Sequence, residues 1–297
     1  MRTAETPALK VLTQNIRFHS ADTRSGEADH WPERAPVLAH LLREADADVV
    51  GAQEVLASQL PVLDEVLSAT HERLGIGREG GGRGEHNLLF LRRERFEVRD
   101  WDQFWLSEQP ALIGSVGWDG HCPRIAVWAR VLDRASGQEI VLAVTHLDHA
   151  GELARARGAE LLAARLREAA GAAPLVLMGD FNAAGGQSAA WDVLREAGLE
   201  DAHDVAAAHD GQDIGTFPDY GAPEPAGPGS TGSCPAAWTW SSIGRGCRSS
   251  AGAPRATTRR SPPASGLRGP EPAVPAGQSP QASASISMPR MRCSGSK

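Results

Sequence analysis

Four apolar segments of this chain stop abruptly at side chains that bind cations or move protons. Val11-Leu-Thr-Gln runs into Asn15, and Val49-Val-Gly-Ala-Gln into Glu54. Ile140–Thr145 is followed by His146, and Leu175-Val-Leu-Met-Gly by Asp180, two residues before Asn182. One polar residue past a buried strand is commonly a turn former. Four such ends are harder to dismiss, because carboxylate and amide oxygens are the ligands a hard cation such as Mg²⁺ prefers. A histidine beside them serves as general acid or base, or donates to a developing oxyanion. The chemistry implied is metal-assisted hydrolysis of a phosphate ester.

The elements that must position these groups follow from periodicity. Alternation over Ala8–Ile16 predicts a first strand, and 48–54 and 174–180 read as short buried strands. Further strands are expected near 87–92, 95–106, 125–132 and 140–146. Pro32 can open a helix whose apolar face would be Val37, Leu38, Leu41, Leu42 and Ala45. Helices are also expected around 60–67, over 152–170, which is rich in Ala, Leu, Arg and Glu, and over 189–197. Six glycines between Gly75 and Gly84 mark a loop. Several strands follow one another directly, so the pattern is α+β, with helices outside stacked sheets rather than a strictly alternating parallel sheet.

Composition bounds the rest. The 297 residues suffice for a large core, and no apolar run approaches the ~18–20 residues of a membrane span. The first residues lack an apolar signal core, which points to a cytoplasmic protein. Four cysteines without C-x-x-C spacing fit neither a disulfide scaffold nor a zinc module. Residues 1–220 hold 21 basic and 35 acidic side chains, a net charge of −14, which disfavours a broad basic grip on nucleic acid. Residues 221–297 differ: Gly, Pro, Ser and Ala make up 49 of the 77, with only 2 acids. The domain division expected is therefore a body, 1–220, and a low-complexity tail, 221–297.

Thr13-Gln-Asn15-Ile-Arg17, Gly51-Ala-Gln-Glu54, Thr145-His146-Leu-Asp148-His149 and Gly179-Asp180-Phe-Asn182, in this order, resemble the endonuclease/exonuclease/phosphatase superfamily. Segments such as Gly75-Ile-Gly-Arg78, Gly84-Glu85-His-Asn87, Phe104-Trp-Leu-Ser-Glu108 and Pro123-Arg124-Ile-Ala-Val-Trp128 look like one bacterial branch of it. The resemblance runs from about Leu9 to Phe217. It implies a four-layer αββα sandwich with the site where strands of both sheets end. Glu54 would be the main Mg²⁺ or Mn²⁺ ligand, with Asn15 beside it. Asp180 would orient the attacking water, Asn182 hold the scissile phosphate and His146 donate to a phosphoryl oxygen. Glu85 would pair with His146. Arg124, Asn87 and Asp148 would face the substrate, a small-molecule phosphate ester or a nucleic acid; no membrane or obligate protein partner is implied.

Bland alternatives stand beside several of these. Arg124 can be a phosphate clamp or a surface ion pair. Asp148 and His149 can support the site or a strand-end hydrogen-bond network. Trp101, Trp105, Trp118 and Trp128 fit a groove, though core packing is the commoner role. Cys122 reads as a small buried hydrophobe.

The family pattern should continue past Phe217 with Arg-(Ile/Leu)-Asp and then Ser-Asp-His. Neither occurs in 218–297, and no histidine follows His209. With 28 Arg against 2 Lys, the coding DNA should be GC-rich, and such DNA out of frame yields this tail's mix. Trp238-Thr239 read one base early contains GAC, an Asp codon flanked by Leu, Met or Val codons. Arg255–Ser261 permits Ser-Asp-His in that frame too. The expectation is a frameshift between about Phe217 and Ala236, the alternative a natural disordered tail. On either, the sandwich would lack its last strands and the chain would be impaired as a hydrolase or be an inactive pseudoenzyme.

Overall fold

The structure, a computed structural model, describes residues 8–207 and, beyond them, a strand at Trp240–Ser242. Two mixed sheets carry the fold. The first has β1 (Val11–Asn15), β2 (Val49–Val55), β3 (His71–Leu74) and β4 (His86–Arg92), ordered β1-β2-β4-β3. The second has β5 (Phe96–Trp105), β6 (Ile125–Asp133), β7 (Gln138–His146), β8 (Leu175–Asp180) and β9 (Trp240–Ser242), in sequence order. β1 runs parallel to β2, and β7 parallel to β8; every other pair is antiparallel.

Period-two alternation builds the layers, since each sheet is covered on both faces. Val50 and Ala52 of β2 and Leu88 and Phe90 of β4 face α1 (Trp31–Ala45) and α2 (Leu60–Leu67). Their neighbours Val49, Leu89 and Leu91 face Val127, Val131, Leu142, Val144 and Met178 of the second sheet. Val141, Ala143, Leu175 and Leu177 then pack under α3 (Glu152–Ala170) and α4 (Ala189–Glu196). The result is helix, sheet, sheet, helix, followed by a short α5 (Ala202–Val205). Gly51 lets the sheets meet: a Cβ there would lie 2.7 Å from Met178 Sδ and 3.1 Å from Val144 Cγ2.

Three expectations need correction. The buried face of α1 is Trp31, Ala39 and Leu42, with Ala35 and Leu38 half-buried against the same cluster, whereas Val37 and Leu41 point outward. Trp31, Ala35, Leu38 and Leu42 recur at spacings of four, three and four, which keeps one helical stripe; Val37 and Leu41 lie off it. β3 was not expected, because His71-Glu-Arg-Leu74 has too little apolar pattern in only four residues. The third concerns the tail: Trp240–Ser242 pairs with Leu175–Leu177, so the outer edge of β8 is not left bare. The strand motifs and Ser-Asp-His frame argument otherwise fall outside the described residues.

Candidate active site at the strand ends

The candidate side chains meet where β1, β2, β7 and β8 end. Asn15 closes β1, Glu54 is the penultimate residue of β2, His146 closes β7 and Asp180 closes β8. Carboxylate and ring atoms of Glu54, His146 and Asp180 all lie within 4.8 Å of one another. Asn15 Nδ2 links the two sheets, donating to Glu54 Oε1 at 2.7 Å and to Asp180 Oδ2 at 2.9 Å. Glu54 Oε2 accepts from the Phe18 backbone N–H at 3.0 Å. Asn182 donates through Nδ2 to His146 Nε2 at 2.8 Å and to the Leu147 carbonyl at 3.0 Å, while its own N–H caps Asp180 Oδ1.

Local backbone geometry turns these groups inward. Glu54, Asn182 and Arg17 all have left-handed backbones, with φ of 62°, 46° and 54°. Non-glycine residues adopt this region at a cost of order 1 kcal/mol or more, so surrounding contacts must hold them. At Glu54 the ladder between β2 and β4 shifts register between Ala52 and Val55, a bulge that re-aims the carboxylate. Buried Gln59 ties down the opposing loop: its Oε1 accepts from His19 and Leu56 N–H, and its Nε2 donates to the Arg17 carbonyl. Arg34 adds a bond from Nη1 to the Ile16 carbonyl at 2.7 Å. Gly179 (φ 149°) lets β8 press against the Thr145 carbonyl just before Asp180, where a Cβ would collide with backbone.

The electrostatics are those of a site short of positive charge. Burial raises the Asp180 carboxyl above its ordinary value and the Glu54 charge adds to it, against the donations from Asn15 and Asn182. Burial likewise raises Glu85, with Glu54 again pushing the same way and Arg78 opposing. His146 is held well below the usual imidazole value by burial and then by Arg124, Arg78 and His149, so its ring is neutral at pH 7. Two half-buried carboxylates share one amide N–H₂ between them. An oxygen-rich pair of this kind fits a divalent cation.

The structure relocates several expected roles. Glu85 does not pair with His146; its Oε2 accepts from Arg78 Nη1 at 2.8 Å, because a guanidinium is the stronger partner for a buried carboxylate than a neutral imidazole. Asn182 orients His146 instead. Asn15 turns its amide N–H₂, not its oxygen, toward the carboxylates, which relieves their repulsion; its Oδ1 accepts from Arg17 N–H. Asn87 is buried and donates to the Ile125 carbonyl at 2.8 Å, so it braces β4 against β6 rather than facing a substrate. Asp148 is 2% exposed and fully engaged: Oδ1 accepts from Ala150 and Gly151 N–H at the start of α3, and Oδ2 from His121 N–H. Burial pushes its pKa up, but these donors and Arg124 leave it below the ordinary carboxyl value.

Arg124 is 7% exposed, with Nη2 on His149 Nδ1 at 2.9 Å and Nε 3.5 Å from Asp148 Oδ2. Cys122, Asp148 and His149 also cluster, yet the Arg124 guanidinium already supplies the positive charge there. Burial pushes the Cys122 thiol up, as expected of an inert cysteine. Trp105 is buried and donates from Nε1 to the Arg78 carbonyl, whereas Trp101 is exposed on the β5 edge. Residues not singled out from sequence are Arg78 and Gln59. Arg78 had a signal, ending the Gly75-Ile-Gly-Arg78 segment as one of two cations in the glycine loop.

Among the described residues no helix is long and apolar enough to cross a membrane. No curated protein sequence matches the chain. Among solved structures, an endonuclease/exonuclease/phosphatase protein of Bacteroides vulgatus is 30% identical with a TM-score of 0.69, over 78% of this chain and 85% of that one. A mannosyl-6-phosphatase of Bacteroides thetaiotaomicron is 28% identical with a TM-score of 0.66, over 80% and 86%. The catalytic domain of human nocturnin shares the fold at 17% identity, with a TM-score of 0.58 over 79% and 83%. The family model described as Endonuclease/Exonuclease/phosphatase family matches residues 12–249, past the Phe217 limit of the quoted motifs. This chain, with its paired sheets and its Glu54–Asp180–His146 cluster between them, belongs to the endonuclease/exonuclease/phosphatase family.

Proposed function

We propose that the protein is a divalent-metal-dependent hydrolase of phosphate esters. The observation that carries this reading is the convergence of Glu54, Asp180 and His146 within 4.8 Å, with no Lys or Arg side chain paired to either carboxylate among the described residues. Glu54 and Asp180 would hold Mg²⁺ or Mn²⁺, and Asn15 would join them only by turning its amide oxygen, now bonded to Arg17 N–H, toward the cation. The cation, when bound, offsets charge on the phosphoryl oxygens as water attacks in line. Asp180 orients that water as an acceptor. Asn182 and His146 face the phosphoryl oxygens, and a ring that takes up a proton as the anion arrives becomes a donor. The −14 charge of residues 1–220 favours a small phosphate ester over duplex nucleic acid, and the mannosyl-6-phosphatase relative supports a sugar-linked monoester.

The test is hydrolysis of p-nitrophenyl phosphate by the purified 297-residue chain with Mg²⁺ or Mn²⁺, then with chelator. Metal-dependent turnover that E54Q lowers by about 1000-fold supports the reading. Turnover indifferent to chelator would overturn it. We propose as well that the tail replaces an Asp- and His-bearing end through a shifted frame, because no histidine follows His209. Sequencing the DNA across codons 210–262 decides this: an inserted or deleted base supports it, and an unbroken frame refutes it.

A further inference from the structure

Two arginines near the site, Arg124 buried and Arg78 largely so, are left differently free by their hydrogen bonds. A guanidinium binds two oxygens of one phosphate along the edge formed by Nε and Nη2. On Arg124 half of that edge is taken, Nη2 by His149 Nδ1 at 2.9 Å, while Nε lies 3.5 Å from Asp148 Oδ2, an ion pair that is not a hydrogen bond. On Arg78 the opposite corner is used instead. Its Nη1 donates to Glu85 Oε2 at 2.8 Å, so the Nε/Nη2 edge has no hydrogen-bond partner among the described residues. Nε of Arg78, like that of Arg124, is among the six buried side-chain polar atoms without a hydrogen-bond partner among the described residues, but on Arg78 no carboxylate ion-pairs with it, and such an atom calls for an explanation.

The arm carrying this edge is held in place. The Arg78 N–H donates to the Glu85 carbonyl at 2.9 Å, and the Arg78 carbonyl accepts from buried Trp105 Nε1 at 2.7 Å. The side chain is 12% exposed. Backbone pairing places it beside the reaction centre: its neighbour Gly77 bridges to His86, which pairs with Val55, the residue after Glu54. A long cationic side chain packed this way has little rotamer freedom left to lose on binding.

We infer that Arg78 is a substrate-binding residue whose open Nε/Nη2 edge takes two oxygens of a terminal phosphate, making the site selective for dianionic phosphomonoesters over monoanionic phosphodiesters. The inference rests on the phosphoesterase reading of the same site. A diester has one fewer unesterified oxygen and one fewer charge, so it cannot satisfy the cation site, the Asn182–His146 pair and the Arg78 edge together. Glu85 is then the group that fixes the arginine, not a partner of the histidine.

The experiment compares wild type with R78A and R78K on p-nitrophenyl phosphate and bis(p-nitrophenyl) phosphate, with Mn²⁺ present. The expected result is a loss of kcat/KM of about 100-fold for R78A on the monoester against a few-fold on the diester, from one lost bidentate contact. R78K should fall in between, and added guanidinium should restore part of the R78A activity. Thermal melting separates a misfolded variant from an impaired one. Equal losses on both esters, or no rescue, would overturn the assignment. Inorganic phosphate binding by calorimetry is the readout independent of turnover. If wild type hydrolyses neither ester, the phosphoesterase reading fails for the chain with this tail. The Arg78 site then stands on a 10-fold or greater loss of phosphate affinity in R78A and falls if affinity is unchanged.

Discussion

Buried acids and arginines occur at both ends of this sandwich, and they are arranged to opposite effect. At the end away from the site, Arg95 donates from Nη1 to Asp48 at 2.6 Å and from Nε to Asp133 at 3.1 Å. Asp133 also accepts from Ala135 N–H and Ser136 Oγ. Burial works against both charged forms there, yet the pairing wins: Asp133 ends below its ordinary pKa and Arg95 above. At the site end, Asp180 and Glu85 are pushed the other way, toward the neutral acid. A closed ion-pair network stabilises charge within the fold. An open one carries a deficit that an added cation can complete.

The contrast yields an ordered set of expectations. The largest concerns D180N, which should abolish metal-dependent hydrolysis by about 1000-fold or more while raising the melting temperature of the metal-free protein. A D180N protein that melts lower than wild type without metal would break the comparison. Next is R95A, which leaves buried Asp133 without its cation and Asp48 with Arg92 alone, and should cost about 3 kcal/mol of stability in a denaturant titration. The Mn²⁺-induced rise in melting temperature should survive that change, because the network is remote from the site.

The smallest effect sharpens the comparison through pH. Asp180 titrates higher in the folded than in the unfolded chain, so its contribution to stability is full below about pH 4 and is lost as pH rises through the raised value. The melting advantage of D180N should therefore vanish at acid pH and grow to a few degrees near neutrality. Mn²⁺ should erase it for wild type. A difference constant with pH would mean that packing, not charge, separates the two proteins.

Much of this was legible from strand ends. Asn15, Glu54, His146, Asp180 and Asn182 are close in space because strands of both sheets terminate together, and apolar runs reveal where strands terminate. The helices over 152–170 and 60–67 emerge with the bounds expected. What sequence hid was partner choice. Glu85 has Arg78 and His146 both in prospect, and only three-dimensional proximity selects Arg78. Asn87 and Asp148 look like substrate contacts because they neighbour motif residues, yet both are consumed by backbone groups. Gln59 was invisible for a related reason: it bonds to residues about forty positions earlier in the chain, across a loop with no periodicity. The α1 stripe failed because five apolar residues offered two overlapping faces, and only Trp31 decides between them.

Gly51 carries a consequence beyond packing. The site is assembled from two sheets that share no hydrogen-bonded ladder, so the gap between Glu54 on one and Asp180 on the other is set by the side chains wedged between the layers. Gly51 against Met178 and Val144 is a spacer of that kind, three residues upstream of Glu54 and two upstream of Asp180 on the facing strand. Thickening it by a single methyl would widen the mouth in which a cation must be gripped from both sides. The tolerance of the chemistry is thus machined in the hydrophobic core, by a residue that touches no reactant.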